Sequence, residues 1–188
     1  LSVPEIFMYS SNIGSAKMAL DVGAEVQQYF MKQLGMLEAS PIQLPEVGHP
    51  LYPGNWRDVS TMTISYGHGI AVTPIQAVTG MAAMVNGGIR HPPTLLKRRP
   101  GEEVPGVSVI STKTSSEMRQ LLRLVVQRGT GNKADAEGYM VGGKTGTSEK
   151  NEKGKYNTKA LLSSFIGAFP MYNPRYVVFA MLDDPVGN

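Results

Sequence analysis

The chain has 188 residues, 41% hydrophobic and 18% charged, with a net charge of +3. That length and apolar content suffice to bury one sizeable core and exclude a disordered, low-hydropathy chain. The excess of basic residues is too small to point to nucleic acid, and no such partner is expected. The one dense basic run, Lys97-Arg98-Arg99, lies between prolines and glycines and reads as a solvated loop. Cysteine is absent, which excludes disulfides, thiolate metal sites and a cysteine nucleophile while leaving cytosol and periplasm both open. Val177 to Leu182 is among the longest apolar runs, far short of the ~20 residues of a membrane span. Leu1 to Glu5 has neither the basic start nor the apolar core of a signal peptide. The first residue is not Met, so the chain is expected to be a piece of a longer one.

In chain order, Gly14 to Leu34 reads as one helix, with apolar Met18, Val22, Val26, Phe30 and Leu34 recurring every four residues. Ser10 and Asn12 lie just ahead of it, and Gly35 is its stop. Residues 36–73 carry Pro41, Pro45, Pro50, Pro53 and several glycines, which disfavour long helices. Pro74 to Val85 reads as a second helix, with Pro74 in its first turn and Asn86-Gly87-Gly88 ending it. A proline-rich connector spans His91 to Pro105. Ser111 or Thr114 then caps a third helix reaching Arg128, with Met118, Leu121, Leu122 and Val125 on its apolar face. Gly129-Thr130-Gly131 stops it. Met140 to Thr147, Leu161 to Phe169 and Tyr176 to Leu182 read as strands, joined by a charged hairpin loop over 148–159 and a short turn from Pro170 to Pro174. The fold class is therefore α+β: an antiparallel sheet packed against helices, with a helical portion over about 1–131 and a sheet portion over about 138–184.

Gly138 to Thr145 matches the phosphate-loop pattern G-x-x-x-x-G-K-[ST] at every position. Val177 to Asp184 even resembles an apolar strand ending in a magnesium-binding Asp. A phosphate loop needs a helix starting at its Lys, so that the helix N-terminus and loop amides surround the phosphates. Here Gly146 and Gly154 and the charged residues between them disfavour that helix, and Lys133 to Glu137 does not read as a buried strand. The other reading makes Val141 to Thr147 itself a strand beside a cleft, offering backbone groups to an extended substrate. Lys144 would then set a cation over a carboxylate or near a proton transfer. Thr145 and Thr147 would share a face, and Gly143 and Gly146 would permit close approach of another backbone. A plain surface strand with a solvated Lys remains the bland alternative.

Ser10-Ser11-Asn12, taken alone, could simply cap a helix. Together with Lys144-Thr145-Gly146 it resembles the second and third motifs of the penicillin-recognising serine enzymes, Ser-x-Asn and Lys-Thr-Gly, which accompany a nucleophilic Ser-x-x-Lys. The likeness extends through Tyr66-Gly67-His68-Gly69 and on to Thr73-Pro74-Ile75-Gln76, through Asn86-Gly87-Gly88, Gly129-Thr130-Gly131 and Gly142 to Lys150, and ends in Asp183-Asp184-Pro185. The chain thus resembles class B penicillin-binding proteins over essentially its whole length, and the cell-division type more than the elongation type. The resemblance implies a penicillin-binding transpeptidase domain, of which 1–188 is a part. A serine would attack the penultimate D-Ala carbonyl of a peptidoglycan stem peptide, release the terminal D-Ala, and pass the acyl group to a neighbouring stem. β-Lactams would acylate the same serine. Residue by residue, Ser10 would lie on the proton path to the leaving nitrogen. Asn12 would bind the substrate's amide side and orient the nucleophile's lysine. Lys144 would supply positive charge within the Ser10 network. Thr145, Gly146 and Thr147 would bind substrate, the two threonines holding its terminal carboxylate and the Thr147 N–H serving as an oxyanion donor. No cofactor and no metal are implied. The partners implied are stem peptides, β-lactams and, through the parent protein, divisome proteins. The location implied is the periplasmic face of the bacterial inner membrane.

No Ser in the chain has a Lys three residues on. The expectation is an interior portion of the domain whose nucleophile helix and C-terminal helix lie outside it, so that this polypeptide alone is inactive. A β-lactamase or D,D-carboxypeptidase, a non-catalytic penicillin sensor and a phosphate-loop NTPase remain the competing functions. His49, His68 and His91 fall in loops at no metal-ligand spacing.

Overall fold

The computed structural model describes residues 1–152 and 155–185, and their side chains outside 151–159. Local capping chemistry accounts for the best-defined helices. In α5 (Pro74–Val85) the Thr73 hydroxyl accepts from Gln76 N at 3.4 Å, and Gln76 Oε1 accepts from Thr73 N at 2.9 Å. This is a reciprocal capping box with proline in the first turn. The Gln76 side chain is buried, and its Nε2 also donates to the Gly35 and Glu38 carbonyls at 3.0 and 2.9 Å, fastening the loop over 35–38 to α5. In α6 (Thr112–Arg128) the cap is Ser111, whose hydroxyl accepts from Thr114 N at 3.0 Å. Leu122, Val125 and Val126 are buried along its inner face. Ser115 Oγ, also buried, donates to Met84 O and accepts from Gly87 N, joining α6 to the end of α5.

The single helix expected over Gly14 to Leu34 is two helices, α2 (Asn12–Val22) and α3 (Ala24–Gln33), broken at Gly23. Gly23 has φ 85 and ψ 158, so it leaves the helical region while its N–H still closes α2 on Ala19 O. The strict four-residue spacing of apolar side chains explains why one straight helix fails. Each step of four drifts by about 40° around the axis, so the stripe cannot stay on one buried face. Val22 and Val26, expected on that face, are exposed. Two further helices were not anticipated. α1 (Val3–Tyr9) is opened by Ser2 and Glu5, whose carboxylate accepts from Ser2 N at 2.7 Å. α4 (Asp58–Ser65) is a short helix within the proline-rich stretch, and its Thr61 and Ile64 are buried.

Three antiparallel strands form the sheet in the order β3 (Gly142–Glu152), β4 (Lys155–Phe169) and β5 (Tyr176–Asp183). A two-residue ribbon, β1 (Ile89–Arg90) with β2 (Val107–Ser108), closes off the proline-rich connector. β3 and β4 run much further than expected, with a register shift between Glu149 and Lys150. Residues 153 and 154 of the expected loop lie outside the described residues. Helices α5 and α6 pack on one face of the sheet, where Met81, Val85, Leu122, Ala168 and Met171 form a buried cluster. At the start of β3, Arg123 on α6 donates to Val141 O at 2.7 Å and forks onto Asp135 at 2.7 and 3.3 Å, holding that carboxyl below the usual carboxylate range. α1 packs on α6, and α6 on β3, so the helix before Ser10 and the strand bearing Lys144 are fixed to a common support.

Candidate active site

Ser10 ends α1 in the left-handed region, at φ 54 and ψ 49. That conformation costs a non-glycine residue about 1 kcal/mol and turns the chain sharply between two helices. The capping expected of the Ser10-Ser11-Asn12 triplet falls to its middle member: Ser11 Oγ accepts from Gly14 N at 3.2 Å. Ser10 and Asn12 are thereby left to line a cleft of about 830 Å³.

The opposite wall is β3. Among the described residues it pairs only with β4, so its other edge is open. Thr145 lies opposite Phe165 and Thr147 opposite Ser163. Lys144, Thr145, Gly146 and Thr147 all line the same cleft as Ser10 and Asn12. Because β3 continues as strand through Lys144, the phosphate-loop reading is overturned: no helix starts there to receive a phosphate. The paired glycines before the lysine serve packing. A Cβ on Gly143 would strike Ile166 O and the Phe165 ring, and one on Gly142 would strike Met171. The close approach expected at Gly143 is therefore to β4. At Gly146 the nearest atom is the Ser164 hydroxyl, which donates to Gly146 O at 3.2 Å.

The two walls meet through one short bond. Lys144 Nζ donates to Ser10 Oγ at 2.7 Å and also to Thr145 O at 3.0 Å. Burial of the Lys144 side chain pushes its pKa below the ordinary lysine value, because partial desolvation disfavours the ammonium. As the ammonium donates to Ser10 Oγ, the serine's own proton is left free to point into the cleft. No carboxylate is found among the described residues lining this cleft, so its field favours an anionic ligand. Ser65, Tyr66, Gly67 and His68 form a further stretch of wall, with the His68 ring edge-on to Tyr66 at 5.5 Å. His91 Nδ1 lies 2.8 Å from Pro105 O, away from the cleft.

Sequence reasoning missed Thr130, whose hydroxyl is bonded to that of Thr145 at 2.9 Å, and Ser164. In the sequence Thr130 stands out only within the Gly129-Thr130-Gly131 segment, as a helix stop and as part of the resemblance, with no role of its own.

A Ser-x-Asn turn joined through a lysine to an open strand edge is the arrangement that the resemblance to the penicillin-recognising serine enzymes implies. The chain belongs to the penicillin binding protein transpeptidase domain family, whose model matches residues 1–188. It is 38% identical over 197 residues to a Caulobacter vibrioides protein named "Probable peptidoglycan D,D-transpeptidase FtsI", covering 100% of this chain and 33% of that protein. Stage V sporulation protein D of Bacillus subtilis is 35% identical, with 97% of this chain and 30% of the relative covered. Among solved structures, the transpeptidase domain of Burkholderia pseudomallei penicillin-binding protein 3 superimposes with a TM-score of 0.92 at 34% identity, covering 98% of this chain and 57% of that one. The chain spans about a third of the length of the curated relatives it matches.

Proposed function

We propose that the protein carrying this chain is a serine-type peptidoglycan D,D-transpeptidase of septal wall synthesis, and that residues 1–188 are part of its transpeptidase domain. The observation that carries the reading is the 2.7 Å bond from Lys144 Nζ to Ser10 Oγ, which unites the two motifs across an anion-favouring cleft. The serine nucleophile would come from outside this chain and attack the penultimate D-Ala carbonyl. As the tetrahedral intermediate collapses, Ser10 gives its proton to the departing D-Ala nitrogen and regains one from the Lys144 ammonium. The lowered proton affinity of that buried lysine favours this transfer. The Thr147 N–H, on the open edge of β3, donates to the oxyanion, an interaction worth about 3 kcal/mol in the transition state. Thr145 and Thr147 hold the terminal carboxylate, Gly146 lets the substrate backbone approach the strand, and Asn12 binds the substrate's amide side. The amine of a second stem peptide then takes the acyl group and the proton it loses returns to the nucleophile serine, while the proton that serine gave up on attack passes through its own lysine, also outside this chain, to restore the Lys144 ammonium.

The septal role is supported by the name of the Caulobacter relative and by the Tyr66-Gly67-His68-Gly69 segment. β-Lactams fit the same site, as a penicillin-binding protein 3 from Mycobacterium tuberculosis was solved with aztreonam at 29% identity. We place the parent protein at the periplasmic face of the inner membrane, working with divisome partners. The test is to incubate the complete protein with stem pentapeptides and follow products by mass spectrometry. Release of D-Ala with formation of a cross-linked dimer is expected. Release of D-Ala without any dimer would assign a D,D-carboxypeptidase instead.

A further inference from the structure

Thr130 lies in the turn after α6, and two hydrogen bonds leave it in opposite directions. Its N–H donates to Met8 O at 3.1 Å, in the last turn of α1 and two residues before Ser10. Its Oγ1 shares a 2.9 Å hydrogen bond with Thr145 Oγ1, next to Lys144 on β3. One residue therefore spans the two walls of the cleft, and its side chain lines that cleft. Gly129 makes the approach possible, since a Cβ there would strike Met8 O.

The two hydroxyls carry two protons, and the bond between them uses one. Whichever threonine donates, a single O–H is left over for another acceptor. The cleft around it is carboxylate-free among its described lining residues and holds the Lys144 cation. Without the Thr130 hydroxyl, the Thr145 hydroxyl would turn freely and could spend its proton elsewhere. We propose that Thr130 is a specificity-determining positioning residue, which fixes the Thr145 hydroxyl so that the threonine pair presents one O–H to the substrate's terminal carboxylate. This inference rests on the transpeptidase reading and adds a residue to the carboxylate site.

The experiment compares acylation of the complete protein by a penicillin and by the methyl ester of the same penicillin, which lacks the anionic carboxylate. Thr130→Val removes the hydroxyl but keeps the branched shape and the N–H to Met8. It is expected to slow acylation by the free acid about tenfold, the usual scale for a hydrogen bond to a charged group, and to leave the ester rate unchanged. Thr130→Ser keeps the hydroxyl and is expected to restore the free-acid rate to within about twofold. In a Thr145→Val background, Thr130→Val should add no further loss, because the two act as a unit. If Thr130→Val melts early, Thr130→Ala provides a second variant without the hydroxyl, with the same carboxylate-selective loss expected. Equal slowing of acid and ester, or no slowing of either, would overturn the inference. A wild-type protein that reacts with neither compound would overturn the transpeptidase reading beneath it.

Discussion

On the helical wall of the cleft, Ser10, Ser11 and Asn12 sit at a break between α1 and α2, whereas on the strand wall Lys144, Thr145 and Thr147 follow one another along β3. The helical wall aims its polar groups through irregularity: a left-handed residue, a cap, and the first residue of a new helix. The strand wall aims its groups through regular alternation and depends on what packs behind it, notably Gly143 against β4 and Arg123 on the Val141 carbonyl. Each wall is fragile in its own way. The strand wall fails through its packing, and the helical wall through its local hydrogen bonds.

The sharpest way to break that contrast is Gly143→Ala. Its methyl would meet Ile166 O and the Phe165 ring, so β3 must shift from β4. A loss of about 3 kcal/mol is expected in denaturant unfolding; a loss below about 0.5 kcal/mol would show that the strand wall yields easily. On the other wall, Ser11→Ala removes one cap and should cost about 1 kcal/mol, with Ser10 less firmly aimed at Lys144. A stability loss as large as that of Gly143→Ala would erase the distinction between the walls. The smallest effect is the titration of Lys144. Its pKa is lowered from 10.5 by burial, so between the lowered value and 10.5 the folded protein binds fewer protons than the unfolded chain. Stability should therefore rise with pH across that window. A Lys144 titration, followed by NMR of the labelled ε-carbon, should have its midpoint below 10.5, and a midpoint at or above 10.5 would contradict the burial argument.

Legibility in the sequence follows the same divide. α5 and α6 were readable because Thr73-Pro74 and Ser111 are strong start signals and glycines follow both helices. The sheet strands were readable where they are rich in Val, Phe and Tyr, as over Leu161 to Phe169 and Tyr176 to Leu182. Their charged extensions, from 148 onward in β3 and before 161 in β4, carry no such signature and read as a loop. α1 was missed because seven residues hold too short a period to see, although Ser2 and Glu5 form its start signal. The break at Gly23 was masked by an unbroken run of apolar spacing on both sides. Within the site, no local pattern predicts that Ser10 and Lys144, 134 residues apart, will touch. That pairing came from family resemblance, and Thr130, bonded to Thr145 across fifteen residues, came only from the fold.

In the function proposed above, the Ser10–Lys144 cleft is part of an acyl-transfer site whose serine is not among these residues. Labelling with a fluorescent penicillin tests it most directly, using the complete protein, its Lys144→Ala variant and the 188-residue chain alone. The complete protein should form a covalent adduct, the variant should do so at least about a hundredfold more slowly, and the chain alone should form none. An adduct on the isolated chain, or undiminished labelling of the Lys144→Ala variant, would contradict the account.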